Sequence, residues 1–364
     1  MNILVLGIGN AQVDLIKLLS EDHFVHALSY SRDGRGLEFA DYFKKIDIKD
    51  VKGVENYAKK HAIELIYSVG SDLGMVTSAK VSYNLKLPSF IFPKVASICH
   101  NKHLLRTHLE GIQGNINYKV FQNPDEISDF EFPCIIKPVD SQGQRGVYLV
   151  YTKKELRNKF DKVIQFSEKK LSIAERYIDG PEVSVNVYVI EGEIKFSIIS
   201  DRIVWPQYPG GLIRKHRIPS KFVNEKSTKK IYTLVRKIIT KLGVKNGPVY
   251  FQIKLEDHQP KLIEVTPRLD GCHLWRLIKF ATGVDLMQTT IDHLIDNIVS
   301  GLNPEVTDEN WVLEFMCEEP SKSFNKDKYD LCSSAYYEWY YENGETVRPI
   351  NAYLEKCGYK IYIT

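Results

Sequence analysis

The sequence predicts an α/β protein with four consecutive units. These are an N-terminal doubly wound parallel-sheet domain, a small central α+β unit, a larger α+β unit with an antiparallel sheet, and a short β-rich C-terminal extension. Three observations predict it. Over the first part of the chain, short apolar strands such as Ile3 to Leu6 alternate with amphipathic helices, the pattern of a parallel sheet covered on both faces. Further on, Glu182-Val183-Ser184-Val185-Asn186-Val187-Tyr188-Val189 alternates polar and apolar, the period of a half-buried antiparallel strand. Finally, at 364 residues the chain exceeds the roughly 250–300 residues that one core supports.

Composition narrows the class. Apolar residues make up 43% and charged residues 26%, as in an ordinary soluble globular protein. A net charge of +3 is too small to imply a nucleic-acid partner. The cysteines Cys99, Cys134, Cys272, Cys317, Cys332 and Cys357 form no CxxC pair, which reads as reduced thiols and a cytoplasmic location. The opening MNILVLGIGN has no basic region before its short apolar run, so it reads as a strand and not a signal peptide. No apolar stretch approaches the ~20 residues of a membrane span.

Residues 1–97 read as strand Ile3–Leu6, helix from Ala11, strand FVHALSY, helix Val51–His61, strand LIYSVG, helix Asp72–Asn84 and a short strand over Leu87–Phe90. Gly7-x-Gly9 resembles the start of a dinucleotide turn, but Gln12 stands at the third glycine and no acid ends the second strand. A tight strand-to-helix turn is therefore preferred over an NAD site. The turn and the Gly70-Ser71-Asp72 loop should lie together at the sheet's C-terminal edge, where a substrate contact is plausible.

In residues 98–178, Lys102 opens a short helix; in isolation it reads as a solvated lysine. Strand Cys134–Lys137 runs into the loop Ser141-Gln142-Gly143-Gln144-Arg145-Gly146, and strand Val147–Tyr151 follows. A lysine at a strand end beside a glycine loop suits a polyphosphate, because glycine lets backbone N–H groups approach the oxygens. An ordinary surface hairpin is the competing reading. A helix Lys153–Phe166 and the strand LSIAERYIDG complete the unit.

In residues 179–300, the stretch Asp201–Pro219 holds Arg202, Trp205, Arg214 and Arg217 and reads as a long loop, either a substrate cover or simply solvated. Beyond the helix Glu225–Leu242, Gln252 and Glu264 fall on neighbouring strands. Facing strand residues come within ~5 Å, near enough to share a metal ion, although a polar rim gives the same pattern. In residues 301–364, Trp311–Cys317 is a strand and Asn343-Gly344 predicts a two-residue hairpin turn. The aromatic run Tyr336, Tyr337, Trp339, Tyr340 and Tyr341 predicts packing on the core or on a second subunit of a homodimer.

Taken together, IIKP…GQRGV, ERYIDGPEVSV and IEVTPR, in this order and with Lys102 ahead of them, resemble the ATP-grasp superfamily over about residues 1–300. The resemblance implies an ATP-grasp fold whose first domain is the pre-ATP-grasp domain and whose central unit is a lid. It implies ATP and Mg²⁺, or Mn²⁺, as cofactors. Lys102 and Lys137 would contact the α- and β-phosphates, and the loop with Ser141, Gly143 and Gly146 would close over them. Glu175, Tyr177 and Ile178 would line the adenine pocket, and Glu182 would hold the ribose. Gln252, Glu264 and Thr266 would bind the metal, and Arg268 would face the γ-phosphate. Gln252 stands where glutamate is usual, as in the carbamoyl phosphate synthetase branch, and Thr266 replaces the usual asparagine.

The resemblance further implies a ligase that activates a carboxylate as an acyl-phosphate and joins it to an amine. The partners are then small-molecule acid and amine substrates, with neither nucleic acid nor membrane. A carboxylate- or carbamate-phosphorylating synthetase and a degenerate ATP-binding scaffold or sensor are the alternatives. Arg202, Arg214, Asp270 and His273 are the candidates for the acceptor side.

Overall fold

The computed structural model describes every residue except 128, 142, 144, 209–210, 306–307 and 351–352. The N-terminal sheet contains β1 (Asn2–Leu6), β2 (Phe24–Ser29), β3 (Tyr42–Lys45) and β4 (Leu65–Tyr67) in the order β3-β2-β1-β4. All three pairings are parallel. The connecting helices are α1 (Asn10–Leu19), α2 (Val51–Lys60) and α3 (Asp72–Leu85). The apolar runs have a simple cause. Leu4, Leu6 and Ile66 meet Val54 and Ala58 of α2 on one face, while Ile3, Val5 and Leu65 meet Leu15 and Ile16 of α1 on the other. Successive side chains alternate across a strand, so a sheet covered on both faces has no polar phase.

One expectation fails here. Residues 87–90 form no strand. After the left-handed cap Lys86, the amide of Leu87 turns back to Ser82 O, and Phe90 packs closely against Gly247. The edge strand is instead β3, whose largely exposed residues give no apolar run to read.

Helices α4 (Pro93–His100) and α5 (Lys102–His108) meet at Asn101, whose side chain accepts from Leu104 N at 3.0 Å. This cap fixes Lys102 at the first turn of α5. The central unit contains β5 (Tyr118–Phe121), β6 (Cys134–Pro138), β7 (Tyr148–Val150), α6 (Lys153–Ile164) and β8 (Ser172–Arg176), with an antiparallel sheet in the order β5-β8-β6-β7. Leu156 and Val163 of α6 pack on Ile136, Val150 and Ala174.

The large sheet has eight strands. The first three are β9 (Glu182–Ile190), β10 (Glu193–Val204) and β11 (Ile213–Ile218). After α7 (Glu225–Leu242) come β12 (Gly247–Glu256) and β13 (Gln259–Thr266). Then follow α8 (Leu274–Thr282), α9 (Leu286–Ile295), β14 (Trp311–Glu318), β15 (Ser334–Trp339) and β16 (Glu355–Ile363). The order is β13-β12-β9-β10-β11-β14-β16-β15, so the segment after residue 300 completes the sheet. Val183, Val185, Val187 and Val189 pack against Ile231, Val235 and Ile238 of α7. The opposite phase of β9, with Glu182, Ser184 and Asn186, forms a polar face, and that face positions the site.

Most of the expected Asp201–Pro219 loop is strand. Arg202 lies on β10, and Arg214 and Arg217 lie on β11. Asp201 is fully buried and accepts from Arg217 Nε at 2.8 Å and from the amides of Lys221 and Phe222 at 3.1 Å. Paired charge thus replaces apolar residues as the filling of these rungs. The expected hairpin at Asn343-Gly344 is absent as well. Gly344 keeps a positive φ of 88°, but its flanks pair with Ser321–Phe324, and β15 pairs with β16. Tyr340 and Tyr341 are buried in the core, whereas Tyr337 is half exposed. The six cysteines are free thiols, and among the described residues no helix is long and apolar enough to cross a membrane.

Candidate active site

At the Gly7-x-Gly9 turn, Gln12 fills the space a dinucleotide would need. A Cβ on Gly7 or Gly9 would come 3.1–3.2 Å from its side chain, and its Nε2 donates to Val69 O at 2.5 Å. The turn is a packing device. The neighbouring Gly70 loop instead touches the strand-end loop of the large sheet, with Gly70 N donating to Leu269 O at 3.2 Å.

Lys102 and Lys137 come from two elements. Lys102 Nζ donates to Ser141 O at 2.6 Å, which ties α5 to the glycine loop. Lys137, at the end of β6, is buried and donates to Glu175 Oε2 at 2.6 Å. The other oxygen, Oε1, accepts from Arg106 Nε at 2.8 Å, and Arg106 NH2 reaches Ile263 O at 2.9 Å. Burial alone would raise the Glu175 pKa, but Arg106 and Lys137 outweigh it and hold the carboxyl at about 2. Burial pulls the Lys137 ammonium below its ordinary pKa, and Glu175 counters that pull. Glu175 therefore lines the cleft as an anchor for Lys137. Arg106 went unread, although it lies one helical turn from Lys102 on α5.

Lys137 borders a cleft of about 690 Å³ between the central and large sheets, lined also by Tyr177, Ile178, Glu182, Arg202 and Trp205. Its size suits a nucleotide-sized ligand. Lys254 Nζ holds its floor, donating to Ile178 O at 3.1 Å and sitting 5.1 Å from the Tyr177 ring centroid. On the loop after β6, Gly143 and Gly146 have positive φ of 66° and 72°, which only glycine adopts without strain. Gln142 and Gln144 lie outside the described residues. Glu182 Oε1 meets Arg202 NH1 and Gln252 Nε2, each at 2.5 Å.

Gln252 and Glu264 are direct register partners on β12 and β13. Burial, and then the charge of Asp72, push the Glu264 carboxyl up, while Lys102, Arg268 and Lys137 pull it down. Five charged groups from all three units thus converge on one spot. Thr266 Oγ1 is buried there without a hydrogen-bond partner among the described residues. A carboxylate that burial disfavours, a facing amide and an orphaned hydroxyl fit a divalent cation. Arg268 is pinned by Asp72: its Nε lies 2.8 Å and its NH2 2.5 Å from Asp72 Oδ1. Asp72 was singled out only as part of a loop, yet it is the first domain's charged contribution to this site.

The acceptor-side candidates separate. Arg202 is buried on the polar face, and Asp270 lies near Arg268 and Cys272. Arg214 instead pairs with Glu314 at 3.3 Å and stacks over Trp205. Both ring nitrogens of His273 are occupied, by Asp14 Oδ2 at 3.4 Å and Tyr340 OH at 2.8 Å. His273 thus ties the first domain to the C-terminal segment.

Residues 130–274 match the ATP-grasp domain model. The chain is 25% identical over 228 residues to the uncharacterized protein y4rH of Sinorhizobium fredii, covering 58% of this chain and 45% of that one. It is 24% identical over 151 residues to the ATP-grasp enzyme fsqD of Aspergillus fumigatus, covering 38% and 26%. A 139-residue stretch is 27% identical to the carbamoyl phosphate synthase large chain of Vibrio cholerae, covering 38% and 13%. The matched part is less than half the length of each of these relatives. Among solved structures, an L-amino acid ligase from Bacillus licheniformis superposes with a TM-score of 0.82 at 18% identity, over 100% of this chain and 93% of that one. A phosphoribosylglycinamide synthetase from Anaerococcus prevotii gives 0.76 at 18%, with the same coverage. Residues 130–274 thus match an ATP-grasp domain, and the chain as a whole shares the fold of these solved structures.

Proposed function

We propose that the protein is an ATP-dependent ligase that activates a small carboxylic acid as an acyl-phosphate and joins it to an amine, releasing ADP and phosphate. The observation that carries this reading is the convergence of Lys102, Lys137, Arg268 and Asp72 around Glu264, at the end of a nucleotide-sized cleft.

Carboxylate and triphosphate repel each other, so the reaction needs cations aimed at the transferring group. Lys137 is held by Glu175, and Arg268 by Asp72. Both therefore stand in place before the anions arrive. Gln252, Glu264 and Thr266 would hold Mg²⁺, which would neutralise charge on the β- and γ-phosphate oxygens. Tyr177 and Ile178 would take the adenine. Glu182 would receive the ribose hydroxyls, sharing its carboxylate with Arg202. Ser141, Gly143 and Gly146 would shield the acyl-phosphate from water, with Lys102 tethering that loop through Ser141 O. The amine then attacks the acyl carbon, and phosphate leaves.

The test is ATP turnover with pools of small acids and amines. Phosphate release that requires both pools, with amide formed in equal amount, supports the ligase. Release with acid alone points to a phosphorylating synthetase. Nucleotide binding without turnover on any pair points to a scaffold.

A further inference from the structure

Beside the nucleotide cleft, the polar face of the large sheet carries a second group of buried side chains that the steps above leave unused. His216 is the register partner of Arg202 on β11. Ligand atoms of His216, Asp270 and Cys272 lie within 4.8 Å of one another. Lys356, from β16, donates to Cys272 Sγ at 3.4 Å and sits 3.7 Å from the Phe315 ring centroid. Its ammonium therefore contacts a thiol and a ring, with the buried Asp270 carboxyl nearby.

By ligand type, His, Asp and Cys would suit a transition metal. The charges argue against it. Burial first, then Arg202 and Lys356, hold the His216 imidazole well below its ordinary pKa. A metal ion would enter beside two fixed cations, one of them already on the sulfur. Asp270, the acid of the group, accepts from the Cys272 amide and also lies near Arg268, so its charge is shared with a second cation.

The unmade hydrogen bonds point the same way. Among the described residues, Ser200 Oγ, Arg202 Nε and both ring nitrogens of His216 are buried without a well-formed partner. The Asp201 backbone lies near enough to the His216 ring to interact with it. Each such group is costly when left unpaired. Ser200 Oγ, Arg202 Nε and one of the two His216 nitrogens can donate, since a neutral imidazole keeps one N–H. The partner these donors lack is an acceptor, and a carboxylate offers two acceptor oxygens.

Resting on the ligase reading above, we propose that this pocket holds a second carboxylate of the acid substrate, besides the carboxylate that reacts. Lys356, His216 and Arg202 bind it. The substrate class is thus a small acid with two anionic groups, and the C-terminal strand β16 contributes to its selection. Asp270 neighbours both Arg268 and Lys356, so one short molecule can span from the phosphate end to this pocket.

The test uses the full chain loaded with MgADP. Malonate, succinate and glutarate are titrated calorimetrically against propionate, butyrate and pentanoate, the monocarboxylates of matching length. At least one dicarboxylate should bind roughly tenfold or more tightly than its monocarboxylate, as a charge-assisted contact allows. Lys356→Met should erase that preference, Lys356→Arg should keep most of it, and MgADP affinity should stay the same in all three proteins, which also reports that each is folded. Equal binding within every pair, no binding of any acid, or a preference that survives Lys356→Met would overturn the pocket while leaving the ligase reading standing. Failure of MgADP to bind the unmodified chain would overturn both.

Discussion

Glu175 holds Lys137 Nζ on one carboxylate oxygen at 2.6 Å and Arg106 Nε on the other at 2.8 Å. All three side chains are buried. Lys137, the lysine proposed to meet the phosphates, therefore belongs to an ion cluster with a surplus positive charge. That surplus is stable only if burial is well compensated, as the proposed polyphosphate would do. A resting site of this kind favours nucleotide binding without side-chain rearrangement.

The cluster predicts an asymmetry between two substitutions. Glu175→Gln leaves Lys137 and Arg106 buried without a counter-charge, a loss of about 3–5 kcal/mol. Lys137→Met leaves Glu175 paired with Arg106, so stability should fall by much less while ADP formation is abolished. Urea unfolding of both variants, alongside turnover, checks this. A Lys137→Met protein that keeps turnover would contradict the phosphate role.

The metal-side carboxyl predicts a pH dependence. Burial and Asp72 raise the Glu264 pKa above 4.5, so the proton competes with a cation at higher pH than at an ordinary glutamate. MgADP affinity should decline as pH falls, with a midpoint above 4.5. Asp72→Asn removes one cause of the rise and should move the midpoint toward acid. Calorimetric titrations across pH would show this; identical midpoints in the two proteins would sink the assignment.

Asp14 joins the first domain to the rest. It accepts from Trp275 Nε1 at 3.0 Å and Arg276 NH2 at 2.6 Å and lies 3.4 Å from His273 Nδ1. Burial alone would raise its pKa, but His273 and Arg276 outweigh that and hold it at about 2. The sign follows from linkage. A depressed carboxyl contributes stability above its unfolded value, and the contribution is lost as pH falls through the folded value. The stability gap between the unmodified chain and Asp14→Asn should be constant near neutrality and shrink between pH 3.8 and about 2. His273→Gln should likewise lower the unfolding temperature, and its effect on KM for either substrate should be small.

Gln252 offers a separate test. Its amide donates to Glu182, so Gln252→Glu would add a carboxylate to the metal side and set it against Glu182. Mg²⁺ should bind more tightly, and the KM for ATP should rise severalfold. Tighter binding of both would show that Glu182 plays no part in holding the nucleotide.

Much of this was legible in the sequence, for identifiable reasons. The apolar runs of β1, β2 and β4 follow from a sheet covered on both faces, and β9 alternates because only one of its faces is apolar. Motifs beside strand ends, such as Lys137 and Glu264, are local in sequence and could be read directly. Arg106 and Asp72 act through long-range pairs, with Glu175 and Arg268, that no local pattern reveals. The strands around Arg202 and Arg217 looked like loop because their polar residues are buried as ion pairs. His273 was placed on the acceptor side by its nearness to Arg268 in the chain, yet its ring turns toward Asp14 and Tyr340. Lys356 carried no signal, since its role depends on β16 returning to the middle of the molecule.

The central claim is that a carboxylate attacks the γ-phosphate before an amine displaces it. The most direct measurement uses small acids labelled with ¹⁸O in the carboxyl group, incubated with ATP, Mg²⁺ and amines, followed by mass spectrometry of the released phosphate. The account predicts phosphate carrying one ¹⁸O atom for each amide formed. Phosphate released without label, its oxygen taken from water, would contradict it.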